Sequence, residues 1–567
     1  MTPNPQPAQG ISVVPGEAAG PILSLGEPLS FWGGVDPGSG TIIDVHHPSH
    51  GASLAGAVLL MPTSRGSCSG SGVLLQLVLS GGSPAALVFC RPEDTLTLGA
   101  IVAAEMFGST IPVIRLEETA FSVLAAAKTA QISSDSITAD GRIQISLRQP
   151  THEDIELSID DRRRLDGSEG VAAQQAMRIV CSMANQQGAR ALVDVTRAHI
   201  DGCIYAGPAN LLFAEKMKEL GARVRVPTTM NAISVDYDNW QRQGVEPEFG
   251  IPASRLADAY LEMGCQPTFT CAPYDLPNPP GLGEQVGWSE SNAVIFANSI
   301  LGARTAKHPD FLDLCVALTG RAPLAGAFLQ EGRRACRSIS IEFPKNADSA
   351  VWPLIGYLAG LAAPDRVPLL KGLSNATPDS DELKALCAAF GTTSAAPILH
   401  IEGITPEAAC QRVSDKDVAF ISRQDLAEGW LKLNSGPAEI DLVAIGSPHA
   451  SLAECQALAK RLDGRALASG LTVIVTTARE IAALAEADGT LATLRMSGVA
   501  VITDLCWCSI TRPVFPSHAK VVLTTSGKYA HYGPGLTGCI VRLGTLDECV
   551  HAALVGAAPA RLPSWLT

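Results

Sequence analysis

The sequence has few charged and few aromatic residues for its length. Charged residues make up 17% and aromatic residues 5% of the 567, whereas hydrophobic residues make up 46% and glycines number 52. A chain of this length is too long for one ordinary domain, and roughly two to four domains are expected. The low charge and high apolar content are typical of a large, well-buried α/β enzyme.

Positive charge is scarce as well. Lys and Arg number 42 against 56 Asp and Glu, which gives a formal net charge of −14. Phosphate backbones are bound by clustered Lys and Arg, and the sequence shows no basic stripe with interleaved aromatic residues. We therefore expect a small-molecule substrate and no nucleic-acid partner.

Long apolar runs are also missing, because the longest, such as Leu354 to Ala363, fall well short of a membrane span. The residues after Met1 show neither a basic region nor an apolar core, so we expect no export signal and no membrane partner. The 15 cysteines are odd in number and lie mostly inside apolar segments. Most cysteines in a cytosolic chain are small core residues rather than disulfides, and we expect a cytoplasmic protein.

The composition changes along the chain and predicts its division into regions. Residues 1–25 are rich in Pro, Gly and Ala and are expected to form a flexible tail. Residues 26–135 contain short β-type runs with frequent glycine, which indicates a small β-rich domain. Residues 136–160 are polar and are expected to form a linker. Residues 161–567 are expected to form a large α/β catalytic region of more than one subdomain, with a second half from about residue 395.

Strand patterns recur along the chain. In the small domain, the pattern predicts a strand at Thr41 to Val45. In the large region, strands with helical patterns between them are predicted at Arg223 to Val226, Leu442 to Ile445, Val473 to Val475 and Val499 to Ile502. Such alternation builds parallel sheets covered by helices through right-handed βαβ units. The predicted fold class is therefore α/β, with parallel βαβ subdomains after a β-rich N-terminal domain.

Polar residues follow two strands near the C-terminus. Cys506 and Cys508 come after the strand that ends at Ile502, and the segment from Ser526 to Tyr532 follows a strand at Val521 to Leu523. Strand ends form the ligand crevice of open α/β sheets. Two cysteines separated by one residue lie on one face of an extended segment and make a soft-metal ligand pair. This pattern indicates a metal or iron–sulfur centre.

A cluster needs at least one more cysteine, because clusters usually take three or four. Cys271, in a proline-rich loop, is the best candidate for this ligand, and Cys203 is a weaker one. The alternative for each is a small core residue, which is the usual role of an isolated buried cysteine.

Other loops carry candidate polar residues. The segment from Arg65 to Gly72 is either a flexible turn or a site where a serine between backbone N–H groups acts as a base or binds an anion. His199 follows a strand and is either a loop histidine or a ligand or base. Thr228 and Asn231 offer a hydroxyl and an amide to a polar substrate. Arg304 is either a surface residue or a bidentate clamp for a carboxylate.

Together these segments resemble the aconitase X family. The segments Phe31 to Asp36 and Arg65 to Ser67 look like its small swivelling subunit. The resemblance covers nearly the whole chain after the tail and implies an aconitase-like fold with both parts fused, so no obligate second subunit is expected. The large subunit is matched, in order, by Gly167 to Gly170, Ala198-His199, Thr270 to Tyr274, Ser289 to Ser291, Asn298-Ser299, Gly302 to Arg304, Asp504 to Cys506 and Ser526 to Tyr532.

The resemblance implies a hydro-lyase. The fused bacterial members are similar to enzymes that dehydrate cis-3-hydroxy-L-proline to Δ1-pyrroline-2-carboxylate, and this is the expected reaction. One alternative is the dehydration of another hydroxy acid, such as a phosphomevalonate-like substrate. The other alternative is a non-catalytic relative that binds an iron–sulfur group or a ligand.

The resemblance also implies residue roles. It makes Ser67 the base on Cα. Lys528 is the cation expected either to stabilise the serine alkoxide or to bind the substrate carboxylate, and His199 is a further expected catalytic residue. The expected substrate-binding residues are Ser69, Thr228, Asn231, Arg304, Tyr529 and His531.

An iron–sulfur cluster, favoured as 2Fe–2S, is expected at the cysteines. Cys271 and Cys506 are its implied anchors, and Cys508 completes the expected metal site. The sequence departs from the two-chain members of the family at Ser447, where those members tend to carry a cysteine before Pro-His. Cys508 or Cys203 is therefore expected to replace that ligand.

Overall fold

The computed structural model describes residues 9–149, 155–414 and 417–567. Residues 1–8 of the predicted tail and 150–154 of the predicted linker lie outside the described residues.

The chain divides into two compact units, called unit 1 and unit 2 below. Unit 1 contains the residues up to Ala198 together with Ala206–Pro227 and His308–Gly326. Unit 2 is made of His199–Tyr205, Thr228–Lys307 and Ala327–Thr567.

Helices and strands are numbered in chain order. The helices are α1 (Gly70–Ser80), α2 (Thr95–Phe107), α3 (Glu118–Ala125), α4 (Ile159–Leu165), α5 (Val171–Gln187), α6 (Pro208–Glu219), α7 (Pro247–Glu262), α8 (Ser291–Phe296), α9 (Leu312–Thr319), α10 (Val351–Ala362), α11 (Ser380–Thr393), α12 (Arg423–Leu433), α13 (Leu452–Leu462), α14 (Arg479–Ala487), α15 (Thr490–Ser497), α16 (Gly527–Thr537) and α17 (Leu546–Val555). The strands are β1 (Gly10–Val14), β2 (Ala18–Ser24), β3 (Val58–Leu60), β4 (Ala86–Phe89), β5 (Val113–Leu116), β6 (Thr129–Ile132), β7 (Ser136–Ala139), β8 (Ile143–Arg148), β9 (Leu192–Asp194), β10 (Ala198–Ile200), β11 (Thr228–Met230), β12 (Gly287–Trp288), β13 (Arg321–Pro323), β14 (Arg337–Ile341), β15 (Pro368–Lys371), β16 (His400–Ile401), β17 (Val418–Ile421), β18 (Leu442–Ala450), β19 (Thr472–Thr477), β20 (Ala500–Thr503), β21 (Val521–Thr524) and β22 (Ile540–Leu543).

The N-terminal part of unit 1 is a closed barrel with the strand order β1-β5-β4-β3-β2-β6-β7-β8. Strands β3, β4 and β5 are parallel neighbours, with α1 and α2 as their crossover connections. Alternate residues of these strands, such as Val58 and Leu60, point into one buried core. The predicted β-rich N-terminal domain is therefore confirmed as a barrel.

The structure corrects two predicted regions at the ends of this barrel. Residues 10–24, predicted as flexible tail, form β1 and β2, and β1 pairs with both β5 and β8. Residues 136–148, predicted as linker, form β7 and β8, whose Ile145 and Leu147 are buried in the barrel core. These short strands depend on partners far along the chain, which composition does not reveal.

A third correction concerns Thr41 to Val45, which was expected to be a strand. Thr41 and Ile42 make only isolated bridges, to Ser53 and Val35. The segment lies among turns, and Gly40 has a φ of 68°, so the chain changes direction before a ladder can form.

The described residues of unit 2 form three sheets. A small sheet has the order β11-β10-β12, a four-stranded parallel sheet has the order β16-β15-β14-β17, and a five-stranded parallel sheet has the order β20-β19-β18-β21-β22. In chain order, α13 follows β18, α14 and α15 follow β19, α16 follows β21 and α17 follows β22 of the last sheet. Every residue of β18 is buried, which is typical of a central parallel strand covered on both faces. These sheets confirm the predicted parallel βα architecture.

Two predictions for the large region need correction. The four-stranded sheet runs from β14 to β17, so a subdomain boundary near residue 395 would divide it. The break falls instead between α12 and β18. The segment Arg223 to Val226 was predicted to be a strand, but it forms none. The strand begins instead at Thr228, after Pro227, and this strand, β11, pairs with β10. Proline has no backbone N–H to donate to a sheet, so it marks the edge of the strand.

Across the described parts of the chain, none of the helices combines the length and the apolar character that crossing a membrane requires.

Candidate active site

Three of the predicted metal ligands meet in unit 2. Cys506 and Cys508 follow β20, and the thiols of Cys271 and Cys508 both hydrogen-bond to the sulfur of Cys506. All three side chains are buried. The backbone N–H of Cys508 donates to the Cys506 sulfur over 3.4 Å, and the N–H of His449 donates to the Cys271 sulfur over 3.2 Å. These three cysteines are called the thiol cluster below, and their role as metal ligands stays a prediction.

Neighbouring side chains hold this segment in place. The Trp507 indole N–H donates to the carbonyl of Ile445 over 2.8 Å, which ties the segment to β18. Asp504, which has a φ of 69°, accepts two hydrogen bonds from Arg479, at 2.9 and 2.6 Å. A positive φ in a non-glycine residue is uncommon and requires such support.

Cys506 is the member of the cluster that carries negative charge. The hydrogen bond from Cys271, then that from Cys508, and the nearby Lys528 ammonium lower the pKa of Cys506 well below its usual range. Burial and the bond to Cys506 raise the pKa of Cys271, whereas the bond to Cys506 is the main cause of the raised pKa of Cys508. A thiolate is the form of cysteine that binds metals.

Lys528 lies at the start of α16 and faces the thiol cluster. Its Nζ donates to Oε1 of Glu290 over 2.7 Å, and both side chains are buried. Burial by itself lowers the pKa of Lys528, but the Glu290 carboxylate and the three cysteines raise it overall. The lysine is therefore a fixed cation beside the cluster.

Sequence reasoning missed Glu290 as a functional residue. It was noted only within the motif Ser289 to Ser291, and an acidic residue before a helix is usually just a cap. Its partner Lys528 is 238 residues away in the sequence, so no local pattern connects them.

Polar atoms near the thiol cluster lack partners among the described residues. Ser447 Oγ, His449 Nδ1 and Tyr529 Oη are all buried and make no hydrogen bond there. Buried polar groups are normally satisfied, so such atoms indicate a missing bound group. The three thiols, as soft donors, together with these polar atoms, fit an iron–sulfur group chemically. Among the residues described, however, no three or more His, Cys, Asp or Glu side chains form a preformed metal site.

His199, which was predicted to follow a strand, is the middle residue of β10, whereas Thr228 begins β11 and Asn231 follows its end. His199 Nδ1 is 2.8 Å from Thr229 Oγ1, and burial lowers the pKa of His199 to about 3, so its imidazole is neutral. Thr228 is buried at the start of β11. Asn231 donates to Asp201, and Cys203, the alternative ligand, donates to the Asn231 carbonyl over 3.3 Å.

Three further predicted substrate-binding residues are held by neighbours in unit 2. Arg304 donates to the Phe328 carbonyl and the Gln330 side chain, at 2.7 and 2.9 Å, so its role as a carboxylate clamp stays a prediction. The Tyr529 ring lies 5.2 Å from that of Trp507. The His531 ring packs against the rings of Tyr357 and Tyr532.

Ser67 and Ser69 lie in unit 1, directly before α1. The backbone N–H of Ser69 donates to Ser67 Oγ over 3.3 Å, and the two hydroxyls are 3.4 Å apart. Gly66 has a φ of 87°, a conformation that glycine adopts without strain. Ser67 is half-buried at the N-terminal end of a helix, where partial positive charge favours an oxyanion.

The carbonyl of His449 is held by a buried lysine. Lys384 Nζ donates to this carbonyl over 3.2 Å and pairs with Asp381 and Glu454, at 2.8 and 2.5 Å. These bonds connect α11 with the segment whose His449 N–H contacts the thiol cluster.

Replacing the buried Lys384 by methionine is expected to destabilise unit 2 by about 2 kcal/mol, since two half-buried carboxylates would lose their cation. The midpoint of urea unfolding, followed by tryptophan fluorescence, measures this loss. Lys460→Met, at an exposed position of α13, is the matched control and should leave the midpoint unchanged. Equal midpoints for the two variants would contradict the assigned role of Lys384.

The fold and site together define a multidomain α/β protein with an N-terminal barrel and a buried cysteine and lysine centre at strand ends. Family models described as the aconitase X swivel, first, second and third domains match residues 7–140, 154–331, 336–431 and 440–555.

Known proteins resemble the chain over nearly its full length. It is 47% identical over 574 residues to the cis-3-hydroxy-L-proline dehydratase of Pseudomonas aeruginosa, with 98% of each chain covered. It is 45% identical over 591 residues to the enzyme of the same name from Hypocrea jecorina, with 100% of this chain and 98% of the relative covered. The crystal structure of holo-form Thermococcus kodakaraensis aconitase X matches with a TM-score of 0.64 and 31% identity, over 70% of this chain and 100% of that one. The chain belongs to the aconitase X family.

Proposed function

We propose that the protein is a hydro-lyase that dehydrates cis-3-hydroxy-L-proline. The observation that carries this proposal is the 47% identity to a dehydratase of this substrate, over 98% of both chains. The relative and this chain share the fused arrangement of barrel and large region, so no separate small subunit is needed. Loss of water gives an enamine, which tautomerises to Δ1-pyrroline-2-carboxylate without further groups from the protein.

The reaction needs a base for the Cα proton and assistance for a poor leaving group, hydroxide. We assign the base to Ser67, whose Oγ already accepts a hydrogen bond from the backbone N–H of Ser69. The same N–H would stabilise the oxyanion that forms when the serine is deprotonated. The neutral imidazole of His199 is assigned to the same catalytic set.

Cys271, Cys506 and Cys508 would hold an iron–sulfur group, proposed to be of the 2Fe–2S type. When bound, this group would supply Lewis-acid assistance to the departure of the 3-hydroxyl. Lys528 contributes a fixed positive charge beside these sulfurs.

The remaining predicted residues are assigned to substrate binding. A carboxylate and a ring nitrogen need a cation and polar side chains of the kinds found here. These residues are Ser69, Thr228, Asn231, Arg304, Tyr529 and His531.

The test is an assay of anaerobically purified protein with cis-3-hydroxy-L-proline. Trapping of the imine product with o-aminobenzaldehyde should give a coloured adduct that increases with enzyme concentration. trans-4-Hydroxy-L-proline, which has no 3-hydroxyl, is the control substrate and should give none. A protein that contains iron but turns over only phosphomevalonate or another hydroxy acid would overturn the proposed substrate.

We also propose a cytoplasmic location. None of the 15 cysteines, all of which lie in the described residues, forms a disulfide. Free thiols persist in a reducing compartment, whereas exported proteins tend to form disulfides.

A further inference from the structure

Glu290 has an unusual backbone conformation. Its φ is 72° and its ψ is 121°, although it is not a glycine, and it directly precedes α8. Its side chain accepts a hydrogen bond from the N–H of Ala293 over 2.9 Å and so caps that helix. Strained backbone of this kind persists only where the surroundings hold it in place, and it occurs often at functional sites.

The carboxylate of Glu290 is fixed from several sides. Oε2 accepts from Ala293 N and from the Asn292 side chain. Asn292 Nδ2 also donates to the Cys271 carbonyl over 2.9 Å, and Asn292 Oδ1 accepts from the Tyr274 hydroxyl over 2.6 Å. One rigid network therefore joins the carboxylate to the backbone of a cysteine in the thiol cluster.

The remaining oxygen of this carboxylate binds the ammonium of Lys528. Oε1 accepts from Nζ over 2.7 Å, and the exposed fractions of the two residues are 4% for Glu290 and 8% for Lys528. A lysine ends in a compact charge on a flexible four-carbon stem. Because the Glu290 carboxylate has a fixed position, its bond to Nζ restricts the conformations of the Lys528 side chain.

We propose that Glu290 is a positioning residue that holds the Lys528 ammonium at a defined place beside the thiol cluster. The inference rests on the proposed dehydratase function, in which Lys528 assists the reaction. Glu290 acts through the lysine and does not itself exchange a proton with the substrate. A general effect of misplacing a catalytic group by about 1 Å is a loss of roughly 100-fold in rate.

The test combines Glu290→Gln with Lys528→Met. Glutamine keeps the shape and the helix cap but loses the charge, and we expect kcat to fall about 100-fold with KM changed less than about threefold. Lys528→Met should lower kcat by about 10³-fold. If Glu290 acts through Lys528, the double variant is no slower than Lys528→Met alone, because residues that act as a unit are not additive. Glu290→Asp, which restores the charge, should recover part of the loss.

The matched control is Glu331→Gln, at an exposed position, which should retain wild-type kcat and KM. A double variant slower by the product of the two single losses would overturn the proposal. Lys528→Gln replaces Lys528→Met if the unpaired carboxylate prevents folding.

A crystal structure of Glu290→Gln separates this proposal from the proposed function. Displacement of Lys528 Nζ in that structure supports the positioning role even if the wild type is inert with the substrate. An Nζ in the same position as in the wild type overturns the proposal.

Discussion

Replacing Cys506 by serine is expected to abolish iron binding at the proposed site and to lower turnover of cis-3-hydroxy-L-proline by at least about 10³-fold, since Lewis-acid assistance is worth several kcal/mol. Cys506 accepts hydrogen bonds from both other thiols, and these bonds lower its pKa, which favours the thiolate form that binds metals. Serine has similar size but offers a hard oxygen in place of the sulfur. The measurements are iron and acid-labile sulfide per chain, the visible absorption spectrum and kcat.

Cys271→Ser should have the same effect, because its sulfur also contacts Cys506. Cys410→Ser is the matched control: Cys410 is exposed, and its replacement should leave iron content and kcat at wild-type values. Removal of iron from the wild type with a chelator should likewise abolish turnover, and reconstitution with iron and sulfide should restore it. Full iron content and activity in Cys506→Ser would refute the assignment of this cysteine as a ligand.

Replacing Ser67 by alanine is expected to lower kcat by about 10²–10⁴-fold, which is the usual contribution of a general base. The hydroxyl accepts a hydrogen bond from the N–H of Ser69 at the start of α1, and alanine removes it without altering the backbone. Iron content and visible spectrum should stay unchanged, since Ser67 is not among the residues proposed to hold the iron–sulfur group. Product formation by the imine-trapping assay, together with solvent deuterium exchange at Cα, measures the loss.

Ser80→Ala, at the exposed C-terminal end of the same helix, controls for the removal of a serine hydroxyl. It should retain full activity and full Cα exchange. Near-wild-type exchange in Ser67→Ala would assign the base to another residue, and His199→Gln would then be the next variant to examine.

Much of the large region could be predicted from local patterns. The β-branched and apolar runs at Leu442 to Ile445 and Val473 to Val475 form β18 and β19 because buried parallel strands need apolar residues on both faces. The same reasoning placed Cys506 and Cys508 at the end of a strand. It failed for β1, β2, β7 and β8, whose short sequences acquire their structure only from pairing in the closed barrel.

The sequence by itself determined the α/β class, the parallel strands with their polar ends, and the pair of cysteines separated by one residue. These features depend on the periodicity of neighbouring residues, which a chain carries locally. Cys271 was expected from the sequence as the third cysteine, and the tertiary structure supplied its contact with Cys506. Only the tertiary structure decided that Glu290 binds Lys528 from 238 residues away. The closure of the barrel was decided in the same way. Such contacts depend on how distant strands and helices pack, and no local spacing of residues records that packing.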